Sequence, residues 1–282
     1  MAVWQNELKP EQIREQRETY YDKPPIIEVK GLSKVYDDKG FFGKGTEIKA
    51  LENVSLELFK GESLGIVGES GCGKSTLSKC IIQLEKQSEG KISYKGTDLK
   101  ELIATDPLSY RKAVQMIFQD PASALNPKMR IGDILTEVMK VHQIGNDRTD
   151  RKRKAIALLE KTGLKAEHFN RYPHEFSGGQ KQRIGIARAL ALEPKIIICD
   201  ESVSALDVSV QAQVLNLLNE LKDTFSLSYI FISHDLSVVK HFCDRIIVLN
   251  KGKIEEKGFP EELFEKAKSD YTRKLIDSIP GR

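Results

Sequence analysis

The chain has 282 residues, with 44 Lys and Arg against 41 Asp and Glu and a hydrophobic share of 40%. That length and apolar content can bury a substantial core, and the near-balance of charge gives no long-range field strong enough to suggest nucleic-acid binding, though it leaves a local basic groove open. No run approaches the roughly 18 apolar residues of a membrane-spanning helix, and the opening MAVWQNELKPEQIREQ lacks a signal peptide's apolar segment, so a cytoplasmic protein is expected.

In chain order, residues 1–25 are polar, carry Trp4 and end at Pro24-Pro25, as a tail outside the core would. Ile26–Tyr36 and Val54–Phe59 show partial apolar alternation, which predicts half-buried antiparallel strands joined by DDKGFFGKGTE, with Phe41 and Phe42 as loop anchors. Leu64–Val67, Ile196–Cys199 and Tyr229–Ser233 are short continuous apolar runs separated by helical patterns. Such runs suit central strands of a parallel sheet and hence an α/β fold. From Asp120 to about Glu175 the pattern turns helical and charged, with NDRTDRKRK as a solvated run, predicting a helical subdomain at about 121–180 inserted into a core of residues 26–258. Residues 259–282 remain as a short C-terminal extension. Cys72, Cys80, Cys199 and Cys243 have no paired spacing, which predicts reduced thiols rather than a metal site or a disulfide framework.

Gly68-Glu69-Ser70-Gly71-Cys72-Gly73-Lys74-Ser75 follows an apolar strand and opens a helix-forming stretch, the context a phosphate-binding G-x-x-x-x-G-K-[ST] loop requires. Its glycines let successive N–H groups ring an anion at a helix N-terminus, and Lys74 reaches the terminal phosphates. Ser75 is expected to ligate Mg²⁺ through its hydroxyl, and Thr76 to meet the α-phosphate.

Asp200 and Glu201 end the run Lys195-Ile196-Ile197-Ile198-Cys199, where paired acids are costly unless functional. Asp200 is expected to hold Mg²⁺ through water and Glu201 to act as general base on the attacking water. Alone, an Asp-Glu pair most often marks a turn; the apolar strand before it and the phosphate loop reverse those odds. His234, after Tyr-Ile-Phe-Ile-Ser at another strand end, is placed to sense the γ-phosphate.

Phe176-Ser177-Gly178-Gly179-Gln180-Lys181-Gln182-Arg183 opens a second helix whose N-terminal donors and dipole point at an anion. One nucleotide does not need two such loops from one chain, so Ser177, Gly178, Gly179 and Gln180 are expected to meet the nucleotide of another subunit.

This loop resembles the signature motif of the ABC (ATP-binding cassette) ATPases, and the other motifs occur in that family's order over about residues 26–258. The resemblance implies a P-loop NTPase core with a mixed sheet, an antiparallel β subdomain and an inserted helical subdomain, using ATP and Mg²⁺. It makes Tyr36 the adenine-stacking aromatic and Gln119 the loop glutamine that meets nucleotide and Mg²⁺ and joins the site to a transport partner. It also makes Ser204-Ala205-Leu206-Asp207 the loop that crosses the dimer, with Asp207 at the nucleotide, and His234 the switch histidine. The catalytic group so implied is Glu201, His234, Gln119 and Lys74.

More narrowly, Phe118-Gln119-Asp120-Pro121-Ala122-Ser123-Ala124-Leu125-Asn126-Pro127 and Asp270-Tyr271-Thr272-Arg273-Lys274-Leu275 are similar to the peptide and nickel importer ATPases. That implies oligopeptide or dipeptide uptake at the cytoplasmic face of the membrane. The implied partners are a second ABC ATPase, different or identical, two permease subunits and an extracytoplasmic solute-binding protein. No iron–sulfur cluster is expected, since no cysteine follows Cys243. The rival readings are an importer ATPase for nickel or another small solute, a soluble ABC ATPase of DNA repair or translation, disfavoured by one cassette without a coiled-coil insertion, and a P-loop kinase or GTPase, disfavoured by the Ser-Gly-Gly-Gln helix.

Overall fold

The structure is a computed structural model that describes residues 21–38, 46–203 and 206–279. Trp4, Phe41, Phe42, Ser204, Ala205 and Pro280 to Arg282 lie outside the described residues, as does most of the expected N-terminal tail. The chain divides into two compact units, one of Pro107–Leu227 and the other of the described parts of residues 8–106 and 228–282.

The second of these units begins with β1 (Ile27–Asp38), β2 (Thr46–Leu58), β3 (Ser63–Val67), α1 (Lys74–Ile81), β4 (Glu89–Tyr94), β5 (Thr97–Asp98) and α2 (Leu99–Thr105). β2, β1, β4 and β5 lie side by side as an antiparallel sheet. Val29, Leu32, Val54 and Leu58 are buried, but the register of β1 against β2 shifts between Val29 and Leu32. An irregularity of that kind adds a residue to one strand, which is why the alternation in the sequence is only partial.

The chain then builds the unit of residues 107–227 from α3 (Pro107–Ala113), β6 (Val114–Ile117), α4 (Ile131–Val141), α5 (Arg148–Lys161), α6 (Gly178–Leu190), β7 (Ile196–Asp200) and α7 (Val208–Phe225). Ile131, Leu135, Met139, Leu159, Ile184 and Ala187 meet in one apolar cluster drawn from α4, α5 and α6. The run NDRTDRKRK is the start of α5: Asp147 Oδ1 accepts the Asp150 N–H at 2.8 Å as N-cap, and Ala155 and Leu159 carry the buried face. Helices in this stretch begin only at Ile131, because side chains upstream take the backbone donors for themselves. Asp120 Oδ1 accepts from Ala122 N at 2.8 Å, and Asn126 Oδ1 from Lys128 N at 3.0 Å.

Returning, the chain completes the unit that began with β1, adding β8 (Ser228–Ser233), α8 (Leu236–Phe242), β9 (Arg245–Asn250), β10 (Lys253–Gly258), α9 (Pro260–Lys266) and α10 (Asp270–Asp277). β3 lies between β8 and β9, parallel to both, and β10 runs antiparallel to β9. β3 and β8 are buried along their whole length, as their uninterrupted apolar runs require.

Candidate functional site

β3 delivers the chain at Gly68 into the loop that ends on α1. Gly68 has φ 156°, and a Cβ there would sit 2.1 Å from the Leu249 carbonyl oxygen. Gly73 caps α1 in the left-handed region at φ 97°, ψ 31°, where a Cβ would lie 2.3 Å from the Ala50 oxygen. Only a residue without a side chain fits either place. Lys74 is buried, and its ammonium donates to the carbonyls of Gly68 at 2.9 Å and Glu69 at 3.3 Å, lashing the end of the loop to its beginning. Glu69, Ser70, Gly71 and Ser75 are exposed, Thr76 is half-buried, and Cys72 is buried with its carbonyl accepting the Gly252 N–H at 2.8 Å.

In the same unit, β8 pairs with β3 through Val67↔Ser233, so the next residues, Gly68 and His234, leave adjacent strands at the same level. His234 is exposed, and Ser233 Oγ accepts the Asp235 N–H at 2.9 Å while Asp235 Oδ1 caps α8 through Ser237 N at 2.9 Å. Tyr36, half-buried near the end of β1, carries the Lys34 ammonium 4.7 Å from its ring centroid.

In the other unit, β6 and β7 pair in parallel up to Ile117↔Cys199, and Gln119 and Glu201 each lie two residues beyond that last pair. Gln119 Nε2 donates to Glu201 Oε2 at 3.1 Å. Asp200 is the last residue of β7 and buried, and Glu201 follows with φ 46°, a left-handed conformation uncommon for a residue bearing a side chain. Beneath them, burial pushes the Cys199 thiol up to about 12, so it packs as an apolar group and supplies no thiolate.

Ser177 and Gln180 form a reciprocal cap on α6. Ser177 Oγ accepts the Gln180 N–H at 3.4 Å, and Gln180 Oε1 accepts the Ser177 N–H at 3.0 Å. Beyond the anion contacts expected of both, their S-x-x-Q spacing is the signature of such a capping box. A Cβ on Gly179 would lie 2.7 Å from Val210, so glycine lets α6 approach α7, whereas Gly178 faces open space. Ser177, Gly178, Gly179, Gln180, Arg183 and Asp207 border an open recess of about 330 Å³. Arg183 is held there by the Thr162 carbonyl at 2.9 Å and Gln213 Oε1 at 3.2 Å. Further along α6, Arg188 donates to the Ala124 carbonyl at 2.6 Å, fixing the segment that follows Gln119. Neither arginine contact has a local sequence signal, because each depends on which elements pack together.

Among the described residues no group of three or more His, Cys, Asp or Glu converges on a metal. The Ser75 hydroxyl and the Asp200 carboxylate are oxygen donors of the kind Mg²⁺ takes, one or two at a time, while it keeps most of its waters. The loop of residues 68–73, with Gly68, Gly71 and Gly73 at positive φ and α1 starting at its end, fits the phosphates themselves. The fold and these sites together define a P-loop nucleoside triphosphatase.

Comparison with known proteins narrows the class. The profile of the ABC transporter family matches residues 51–204, more than half of the chain. The oligopeptide transport ATP-binding protein OppF of Haemophilus influenzae is 50% identical over 263 residues, spanning 92% of this chain and 79% of that protein. OppF of Bacillus subtilis is 48% identical over 256 residues, 90% of this chain and 82% of that protein. The dipeptide transport ATP-binding protein DppF of H. influenzae is 45% identical over 260 residues, 92% of this chain and 79% of that protein. Among solved structures, a dimeric ATP-binding cassette in a post-hydrolysis state bound to ADP and Pi superposes with TM-score 0.73 at 29% identity, covering 83% of this chain and 98% of that one. The cbiO1 protein of Clostridium perfringens, part of the ABC transporter complex cbiONQ, does so with TM-score 0.72 at 27% identity, covering 92% and 97%. The chain belongs to the ABC transporter family and is one of its ATPases.

Proposed function

We propose that the chain is the ATP-hydrolysing subunit of an importer for oligopeptides or dipeptides. The observation that carries this reading is the identity of 45% to 50%, over nine-tenths of the chain, to peptide transport ATP-binding proteins. Residues 26–258 act as the ATPase domain, with a helical subdomain at about 121–180 and a C-terminal extension from 259.

In this reading the N–H groups of residues 68–76 and the Lys74 ammonium take the phosphates, and Tyr36 stacks on the adenine. Ser75, Gln119 and, through water, Asp200 hold Mg²⁺, which when bound neutralises phosphate charge. Glu201 accepts the proton of the attacking water. Gln119, by donating to Glu201 Oε2, aims that carboxylate. His234 donates to the γ-phosphate. Ser177, Gly178, Gly179, Gln180 and Asp207 serve the nucleotide of a second ATPase subunit, a different chain or a copy of this one. Closing over ATP and reopening after hydrolysis then shifts the populations of the membrane partners' states.

Those partners are two permease subunits, fed by an extracytoplasmic solute-binding protein, with this chain peripheral at the cytoplasmic face. Among the described residues no helix is long and apolar enough to cross a membrane. The test is affinity purification of the tagged chain from detergent-solubilised native membranes. Recovery of two polytopic permeases with a second ATPase supports the reading; recovery of ribosomal components or nucleic acid alone overturns it.

A further inference from the structure

The C-terminal helix reaches the phosphate loop. Tyr271, in the first turn of α10, places its hydroxyl 3.1 Å from the backbone nitrogen of Glu69 and accepts that N–H. Its own position is set by a chain of contacts on β10. Glu256 accepts the N–H groups of Lys268 at 2.8 Å and Ser269 at 3.1 Å. Ser269 Oγ donates to Glu255 Oε1 at 2.6 Å and accepts the Tyr271 N–H at 3.1 Å. The hairpin before it grips the same loop, through Gly252 N–H to the Cys72 carbonyl at 2.8 Å. Burial pushes the Tyr271 phenol up, keeping it neutral at physiological pH.

An N–H committed to Tyr271 is not aimed at a phosphate, so the hydroxyl decides which of the loop's donors turn away from the anion and which remain to ring it. We propose that Tyr271 is a positioning residue for the phosphate loop and that, through it, α10 is coupled to nucleotide occupancy. This rests on the reading of residues 68–76 as the ATP site. Coupling runs both ways: α10 holds the loop in its binding shape, and bound nucleotide steadies α10.

The test uses the full chain, Tyr271→Phe and a fluorescent ATP analogue with Mg²⁺. The variant keeps the ring and loses only the acceptor, at an exposed hydrogen bond, so Kd rises about threefold, or about 0.6 kcal/mol. KM for ATP rises by a larger factor than kcat falls. In the wild type, nucleotide slows amide exchange across α10, and in the variant that slowing shrinks. An unchanged Kd overturns the proposal. Should the variant not fold, wild-type exchange in α10 that ignores nucleotide overturns it equally. A wild-type chain that binds no ATP overturns instead the site reading beneath it.

Discussion

Glu201→Gln isolates the charge of the candidate base from everything else that side chain does. The substitution is isosteric and leaves an oxygen to accept from Gln119 Nε2, now 3.1 Å from Glu201 Oε2. Glutamine bears the left-handed backbone at φ 46° as well as glutamate does, so no strain is added. What is removed is the proton acceptor, a loss of about 10²- to 10⁴-fold in turnover, or about 3–5 kcal/mol of transition-state stabilisation. Gln119→Ala leaves the carboxylate in place but deletes both its hydrogen bond to Glu201, worth about 1.5–3 kcal/mol, and the amide oxygen proposed for Mg²⁺, so its turnover should recover in part as Mg²⁺ is raised, whereas that of Glu201→Gln should not. Phosphate release by the chain purified with its partners, at saturating ATP and rising Mg²⁺, gives both ratios. Light scattering should meanwhile show that Glu201→Gln keeps ATP-dependent association. A Glu201→Gln turnover equal to wild type would refute the general-base assignment.

Gly68→Ala should abolish nucleotide binding in a titration while leaving the far-ultraviolet spectrum intact, because a Cβ 2.1 Å from the Leu249 oxygen forces the loop to move. Arg188→Met should destabilise the protein by about 1–3 kcal/mol in urea unfolding, since it strands the Ala124 carbonyl, and should speed amide exchange from 120 to 127. Glu256 offers a pH dependence. Burial pushes its carboxyl up, but the Lys268 and Ser269 N–H groups outweigh that, and the net pKa lies below the ordinary 4.5. A depressed carboxylate contributes stability that is present above 4.5 and disappears as pH falls through the lower folded value. The melting temperature of wild type should therefore exceed that of Glu256→Gln at neutral pH and converge on it below that window.

β3, β7 and β8 were legible in the sequence because strands buried on both faces must be continuously apolar, and Leu64–Val67, Ile196–Cys199 and Tyr229–Ser233 have no other use for that pattern. β6 was not, since four residues with Gln115 among them carry no period, and β5 has only two residues. The phosphate loop was legible because its constraints are local: a strand, glycines with barred Cβ positions and a helix start. The Gln119–Glu201 hydrogen bond was not, because 82 residues separate its partners and only the pairing of β6 with β7 sets their alignment. Tyr271 belongs with it. A tyrosine in the first turn of a short helix looks like packing until the tertiary fold brings Glu69 to it.

The alignment of Gln119 with Glu201 depends on counting. Each lies two residues beyond a paired position, Ile117 on one strand and Cys199 on the other. Losing or gaining a single residue on either arm would shift one partner along its chain by about 3 Å, roughly the rise of one extended residue and the full length of their hydrogen bond. The two arms are thus tied in length as well as in chemistry. A deletion of Phe118 would part the amide from the carboxylate, and a matching deletion after Cys199 would be the natural place to seek its suppressor.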